Sequence, residues 1–171
     1  MGKQASEETG GQITEIIAPC RLEYTIAAGE AQRPFLRGLA KGKIMGQRCP
    51  QCSMVYMPPR GSCPTCAVAT KEEVQVSDKG TVTTFCVVNL QFYGQAVEVP
   101  YACCSILLDG TDLPFFHLVQ ELPADQVRMG LRVQAVWAAP EELKPSFESI
   151  LYFKPSGEED APYESYKEHV S

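Results

Sequence analysis

Four of the chain's cysteines lie close together, as two CPxC pairs within the stretch RCPQCSMVYMPPRGSCPTC. They follow the spacing C-x2-C-x10-C-x2-C and are Cys49, Cys52, Cys63 and Cys66. A CxxC turn directs two thiolates at one point, so two such turns that face each other can complete a tetrahedral metal site. Four protein ligands leave no open coordination position. The spacing therefore predicts a structural zinc site that does not activate water.

Other uses of these thiols fit the sequence less well. A redox CxxC pair is expected beside a thioredoxin-like βαβ pattern, which is not evident here. Tetrahedral sulfur also suits iron, so the choice between zinc and iron stays open. Nothing resembles a signal peptide, and no apolar run approaches the ~18 residues of a membrane span. We therefore expect a cytoplasmic protein with reduced thiols, which disfavours disulfides.

The remaining cysteines and His117 show neither metal spacing nor a catalytic pattern. These cysteines are Cys20, Cys86, Cys103 and Cys104, and a free cysteine inside a barrel behaves as a small hydrophobic residue. We expect Cys86 and one of the adjacent pair to face the core, since neighbours in a strand point to opposite faces. His117 is expected to be a packed or edge-exposed imidazole. No Ser-His-Asp arrangement, paired carboxylate motif or glycine-rich phosphate loop is evident in the sequence.

Charge is distributed unevenly along the chain, which has a formal net charge of −6 and a pI near 5.0. Residues 31–71 contain several basic side chains but no Asp or Glu, whereas residues 141–168 contain seven Glu and one Asp. A basic segment on an acidic protein suits a compact anion such as a CoA phosphate, an acidic partner surface, or simply solvent. The domain-wide basic footprint of nucleic-acid binding is absent, which disfavours such a role.

The hydrophobic pattern predicts a mainly β fold. Residues 30–42 have helical spacing, and from residue 73 onward β-branched runs predict about five strands, the first long enough to serve two sheets. One helical turn between the third and fourth strands is the layout of a five-stranded OB-fold barrel. The acidic end should be an extended tail unless Tyr163 and Tyr166 hold it to a surface. The expected units are an arm (1–29), helix plus zinc ribbon (30–70), OB-fold (71–155) and tail (156–171).

Several segments resemble a known family in the same order along the chain: PFLRGLAKGKIMGQRC (34–49), the cysteine segment (49–66), GTVTTF (80–85), VPYACCSILLDG (99–110), MGLRVQAVW (129–137) and ILYFKP (150–155). The family comprises zinc-ribbon plus OB-fold proteins that accompany thiolase-like and other acyl-CoA enzymes, such as the small subunit of benzoylsuccinyl-CoA-type thiolases. This resemblance implies an N-terminal helical segment, a rubredoxin-like ribbon and a C-terminal OB barrel. It also implies an accessory subunit without its own active site, which binds a thiolase-like catalytic subunit and helps form the acyl-CoA pocket.

Within that resemblance, the chain offers candidates for contact with CoA. The basic candidates for its phosphates are Arg37, Lys41, Lys43, Arg48 and Arg60. Phe92 and Tyr93 could stack on adenine or line an acyl channel, or could pack against a partner or the ribbon. The alternatives are an accessory subunit of an acyl-CoA aldolase, acyltransferase or hydratase, a solitary acyl-CoA carrier, and a module that binds single-stranded nucleic acid.

Overall fold

The structure is a computed structural model that describes Leu22, residues 25–92 and residues 94–170. These residues form one α-helix, eight β-strands and several 3-10 turns. The strands are β1 (Ile44–Arg48), β2 (Val55–Tyr56), β3 (Glu72–Val76), β4 (Lys79–Val88), β5 (Tyr101–Leu108), β6 (Phe115–Val119), β7 (Arg132–Trp137) and β8 (Ile150–Pro155). The predominance of strands confirms the mainly β class that the hydrophobic pattern predicts.

Helix α1 (Gln32–Leu39) lies within the segment predicted to be helical and ends before Gly42, whose φ is +66°. A positive φ is the conformation that glycine adopts at little cost after a helix. Phe35 and Leu39 are almost fully buried, and the ring of Phe35 packs on that of Phe147 with 5.0 Å between the centroids. Within the described residues, no helix has the length and apolar character needed to cross a bilayer.

Three strands form the ribbon sheet, in the order β2-β1-β3 with antiparallel pairing. The sequence pattern predicts that residues 73–77 belong to the same long run as the first barrel strand. In the structure, β3 instead pairs with β1, from Ile44 opposite Val76 to Arg48 opposite Glu72. Only Ser77 and Asp78 separate β3 from β4. The long run is therefore two strands in two different sheets.

The other five strands form a closed barrel in the order β4-β5-β6-β8-β7, with β7 pairing back to β4. The 3-10 turn Ala124–Gln126 follows the third barrel strand and precedes the fourth, as the sequence predicts. The ribbon contacts the loop between β5 and β6 through two hydrogen bonds: Val55 N–H donates to Asp112 Oδ2 (2.7 Å), and Asp112 N–H donates to Val55 O (3.1 Å). This closed arrangement confirms the five-stranded OB-fold.

A register shift interrupts the pairing of β4 with β5 between Val82 and Thr84. Since side chains alternate with period two, one extra residue reverses which face each later side chain occupies. Cys104 is fully buried and pairs with Phe85, whereas Cys86 is exposed and pairs with Cys103. The expectation that Cys86 faces the core is therefore wrong, because the bulge places it on the outer face. The expectation for one of the adjacent cysteines is confirmed by Cys104.

Residues 156–170, here called the C-terminal strap, return to the barrel. Asp160 accepts two hydrogen bonds from Arg128, at 2.6 and 2.8 Å, and Ala161 N–H donates to Gly130 O at 2.8 Å. Tyr166 is 5% exposed and contacts Tyr163 edge-on. Of the two arrangements left open by the sequence, the structure shows the one in which a tyrosine holds the acidic end to the surface.

Candidate functional site

The four cysteines of the two CPxC turns converge on one point. Their Sγ atoms all lie within 4.8 Å of one another, and the Cys52 and Cys63 sulfurs are 3.7 Å apart. Zinc–sulfur bonds of about 2.3 Å in a tetrahedron require sulfurs about 3.8 Å apart. The donor set and this separation therefore fit a four-coordinate zinc ion, which would be held by Cys49, Cys52, Cys63 and Cys66.

The two turns have the same backbone hydrogen bonds. Ser53 N–H donates to Cys49 O at 3.0 Å, and Ala67 N–H donates to Cys63 O at 2.9 Å. Ser53 and Ala67 also share a positive φ, of 62° and 55°. The N–H groups within each turn approach the sulfurs, as Gln51 N–H does at 3.4 Å from Cys49 Sγ. Such N–H groups stabilise thiolates, so the turns are prepared to bind a cation.

Tyr56 lies directly behind this centre, although the cysteine spacing alone did not single it out. Its side chain is 1% exposed, and its hydroxyl lies 3.1 Å from Cys63 Sγ. The hydrogen bond from Tyr56 lowers the pKa of Cys63 to about 6, and the same bond raises the pKa of Tyr56 to about 12. A Cys63 thiolate that binds a metal can only accept a hydrogen bond, so the Tyr56 hydroxyl would be the donor. An aromatic hydroxyl between two CxxC turns is the signal that could have revealed it.

Arg37, Lys41 and Lys43, here called the basic cluster, surround a shallow cavity of about 320 Å³ beside the ribbon sheet. All three side chains are exposed. The cavity is also lined by Pro34, Gly38, Met45, Glu73 and Gln75. Glu73 is the one carboxylate among these lining residues, so the cavity carries net positive charge.

Close packing around Gly38 produces this cluster. A Cβ atom on Gly38 would lie 2.7 Å from Met45 Cγ and 2.8 Å from Lys43 O, so only glycine permits the helix to approach β1 this closely. The carbonyl of Gly38 also accepts hydrogen bonds from Lys41 N–H (2.8 Å) and Lys43 N–H (2.9 Å). The chain thus folds back at the end of α1 and places both lysines beside Arg37.

The other two predicted cations lie apart from the basic cluster. The side chain of Arg48 lies on the face of β1 opposite to that of Met45. There, Arg48 Nε is 3.5 Å from Glu72, and Arg48 Nη1 donates to Ser53 O at 3.3 Å. These contacts support the first cysteine turn. Arg60 is exposed on the loop before Cys63 and is not among the residues that line the cavity.

The two predicted aromatic contacts belong to the loop between β4 and β5. Phe92 is 62% exposed, and its N–H donates to Gln95 Oε1 at 3.0 Å. It does not line the cavity of the basic cluster. Tyr93 lies outside the described residues. The roles proposed for these aromatics therefore stay predictions.

His117 packs as an imidazole among aromatic rings, as the sequence predicts. It lies edge-on to Phe115 and Phe153, with centroids 6.1 and 5.5 Å away. Its Nδ1 accepts a hydrogen bond from Leu118 N–H at 2.9 Å, which leaves that nitrogen without a free lone pair for a substrate proton. Burial lowers the pKa of His117. The contacts are those of a structural residue.

Two cysteine turns on a three-stranded sheet, followed by a closed five-stranded barrel, define a zinc-ribbon plus OB-fold protein. Comparison with known families gives the same two domains, with a boundary between residues 72 and 73 that falls inside β3. Residues 37–72 match the domain described as "ChsH2, rubredoxin-like zinc ribbon domain", and residues 73–138 match "ChsH2, C-terminal OB-fold domain". The chain belongs to this family of zinc-ribbon and OB-fold proteins, as its sequence motifs indicate.

Individual relatives extend the comparison. A "DUF35 domain-containing scaffold protein" of Methanocaldococcus jannaschii is 35% identical over 95 residues, which cover 55% of this chain and 67% of that protein. The solved structure "Ltp2-ChsH2(DUF35) aldolase" has a TM-score of 0.59 at 21% identity, covering 77% of this chain and 99% of that one. A DUF35-family protein of unknown function from Sulfolobus solfataricus has the same TM-score at 19% identity, with coverages of 75% and 87%. These structural likenesses concern the fold.

Proposed function

We propose that this chain is a non-catalytic accessory subunit, which binds a thiolase-like catalytic subunit and helps to hold its CoA thioester. The observation that carries the proposal is the basic cluster, three exposed cations around one cavity on a ribbon that four cysteines can clamp. A relative named as a scaffold protein, and a structural neighbour whose name joins a DUF35 chain to an aldolase, support an accessory role.

The chemistry of the basic cluster suits the phosphate end of CoA. The planar guanidinium of Arg37 can bind a phosphate through two parallel hydrogen bonds, and Lys41 and Lys43 add mobile point charges. The cavity is shallow and open, so it would hold part of the cofactor while the thioester extends toward the partner. The nucleophilic cysteine that a Claisen-type thiolase needs would belong to that partner.

The remaining predicted contacts have different places in this proposal. Arg60 and the aromatics Phe92 and Tyr93 would meet CoA or the acyl chain only from surfaces outside the cavity. Arg48, which already contacts Glu72, would contribute mainly by supporting the first cysteine turn. We therefore rank the basic cluster above these residues as the phosphate site.

Charge reversal in the assembled complex tests the CoA contact. The double variant Lys41→Glu/Lys43→Glu should weaken binding of a CoA thioester to the complex at least about 10-fold, because hydrogen bonds to charged groups are each worth ~1.5–3 kcal/mol. The matched control is Lys167→Glu, which reverses an exposed lysine on the C-terminal strap. Titration calorimetry with desulfo-CoA measures both. Equal affinities for the double variant and the control would refute the phosphate site.

The accessory role has its own test. The purified chain should show no thiolysis of acyl-CoA alone, and activity should appear when the catalytic subunit is added. Robust turnover by the isolated chain would overturn the accessory assignment. A second candidate is an aldolase partner, favoured by the aldolase named in the structural neighbour, and assaying retro-aldol cleavage beside thiolysis distinguishes the two reactions.

A further inference from the structure

Cys86 and Cys103 form a directly opposed pair on the outside of the barrel. They are register partners on the antiparallel strands β4 and β5. Cα atoms of such partners are about 4.5 or 5.5 Å apart, according to whether the pair is hydrogen-bonded. Disulfides span Cα separations of about 4.4 to 6.8 Å, so either arrangement permits a bond between the two sulfurs.

The pair exists because of the β4 bulge. Without the shift between Val82 and Thr84, Cys86 would point inward on the face of Val82. With the shift, Cys86 is exposed and Cys103 is half-buried beside it, while the next residue, Cys104, is fully buried in the core. Cys86 and Cys103 are thus opposed thiols that solvent can reach, whereas the thiol of Cys104 is enclosed in the core.

We infer that Cys86 and Cys103 are a thiol-disulfide site, which a small disulfide such as oxidised glutathione converts to a cross-strand disulfide. This site is distinct from the four-cysteine metal centre and does not depend on the proposed acyl-CoA role. Cys86 is the more exposed thiol and reacts first. Burial and the neighbouring Cys86 raise the pKa of Cys103, so less of Cys103 is thiolate and its attack follows that of Cys86.

The chemistry balances as an exchange. The thiolate of Cys86, after losing its proton to solvent, attacks one sulfur of oxidised glutathione and releases one glutathione thiolate, which takes up a proton. Cys103, likewise deprotonated, then attacks the Cys86 sulfur of this mixed disulfide and releases the second glutathione. Two protein thiols are oxidised to one disulfide, and one glutathione disulfide is reduced to two thiols.

The bond would close the loop between β4 and β5 at its base. Cys86 lies two positions before the end of β4, and Cys103 two positions after the start of β5. The loop between these strands carries the exposed residues Leu90 and Phe92. Oxidation therefore restrains the loop, while the barrel hydrogen bonds on either side of it stay as they are.

The test uses the full, zinc-loaded chain with Cys20→Ser, so that a cysteine outside the described residues cannot interfere. After incubation with oxidised glutathione, intact mass should fall by two hydrogens, and proteolysis without reductant should yield a peptide pair joined through Cys86 and Cys103. Dithiothreitol should restore the original mass. Cys86→Ser and Cys103→Ser should each abolish the joined peptide, with far-ultraviolet circular dichroism to establish that each variant is folded.

The matched control is Cys104→Ala, which removes the adjacent buried thiol and should leave the joined peptide unchanged. A disulfide mapped to Cys104 or to any metal-site cysteine would overturn the inference. So would a stable glutathione adduct on Cys86 with Cys103 still reduced, or an unmodified chain under conditions that oxidise a control dithiol. The mass measurement on the chain that keeps both Cys86 and Cys103 distinguishes these outcomes. It does not depend on whether the Cys86→Ser and Cys103→Ser variants fold.

Discussion

The hydroxyl of Tyr56 and the sulfur of Cys63 lie 3.1 Å apart inside the ribbon, with the tyrosine almost fully buried. Partners of metal ligands typically change metal affinity by about 10–100-fold when removed. We therefore expect Tyr56→Phe to weaken zinc binding within that range while keeping the ring in place. Competition with a chromogenic chelator measures the affinity.

The matched control for this substitution is Tyr152→Phe. It removes a hydroxyl that bonds to Glu121 on the exposed surface, away from the cysteines. Zinc affinity should not change in this variant. Equal zinc affinities for Tyr56→Phe and wild type would show that the hydroxyl does not support the metal centre.

Zinc removal should unfold the ribbon before the barrel. Structural zinc supplies ~10–16 kcal/mol of apparent free energy in small finger peptides, and the separate cluster at the cysteine turns has only Cys49, Tyr56 and Cys63 as buried members. After chelation, amide exchange should accelerate at Cys49 and Cys63, whose N–H groups donate to Met54 O and Val68 O. Amides of β5 should keep their protection. Uniform loss of protection in both parts would contradict separate stabilisation of the ribbon.

Gly38→Ala should displace helix α1 from β1. The new methyl group would meet Met45 Cγ at 2.7 Å and the backbone oxygen of Lys43 at 2.8 Å, and backbone cannot move aside cheaply. Overpacking of this kind costs about 1–3 kcal/mol of unfolding free energy. Gly29→Ala is the control, because nothing lies within 4 Å of its added carbon. Urea denaturation compares them, and equal midpoints would disprove the close approach.

The C-terminal strap should depend on Tyr166 far more than on Tyr163. Truncating a buried aromatic side chain costs about 3–5 kcal/mol, and Tyr166 is 5% exposed. Tyr163 is 55% exposed and should lose mainly its edge-on contact, about 0.5–1.5 kcal/mol. Thermal unfolding of Tyr166→Ala and Tyr163→Ala measures this difference. A larger effect at Tyr163 would contradict the observed burial.

Stability should fall as the pH drops below about 6.5, because of His117. Burial lowers the pKa of His117 in the folded protein, so the unfolded chain binds this proton first. The loss of stability therefore begins near the pKa of the unfolded chain's histidine and continues until the pH reaches the lower pKa of His117 in the folded protein. At higher pH, His117 does not change the stability. Glu148, which lies nearby, pairs with Lys144. His117→Phe should remove this part of the pH dependence, which unfolding midpoints measured across pH would show.

A second loss of stability should occur at lower pH. Lys79 and Arg132 lower the pKa of Glu158 in the strap, so its contribution is present above the ordinary carboxyl pKa near 4.5 and is lost as the pH falls through the folded value. Glu158→Gln should remove this low-pH component without changing the His117 window. Unfolding midpoints measured across pH in both variants separate the two groups.

The metal centre was predictable because its chemistry depends on local spacing. Cys49 and Cys52 must share one turn, and the same holds for Cys63 and Cys66, so the sequence alone identifies the converging sulfurs. The barrel was equally accessible, since β-branched runs and a single helical turn specify its order. The two cysteine turns and the individual strands are each specified by neighbouring residues.

The errors came from features that depend on distant parts of the chain. Whether residues 72–76 pair within the ribbon or the barrel depends on β1, and the strand pattern cannot distinguish these partners. The face of the sheet on which Cys86 lies depends on one extra residue in β4. The amino-acid composition of the strand does not reveal this bulge. Of the five cations predicted to contact CoA, three share a cavity because Gly38 lets the chain fold back, and spacing does not reveal that contact.

The short link of Ser77 and Asp78 has a mechanical consequence. It joins the ribbon to the barrel with almost no slack, and Ser77 N–H also bonds to Asp109 O at 3.3 Å. Together with the bonds between Val55 and Asp112, this fixes the angle between the two units. Any surface that spans both units is therefore held in one arrangement, so insertion of flexible residues after Asp78 would allow each unit to fold yet misalign the pair.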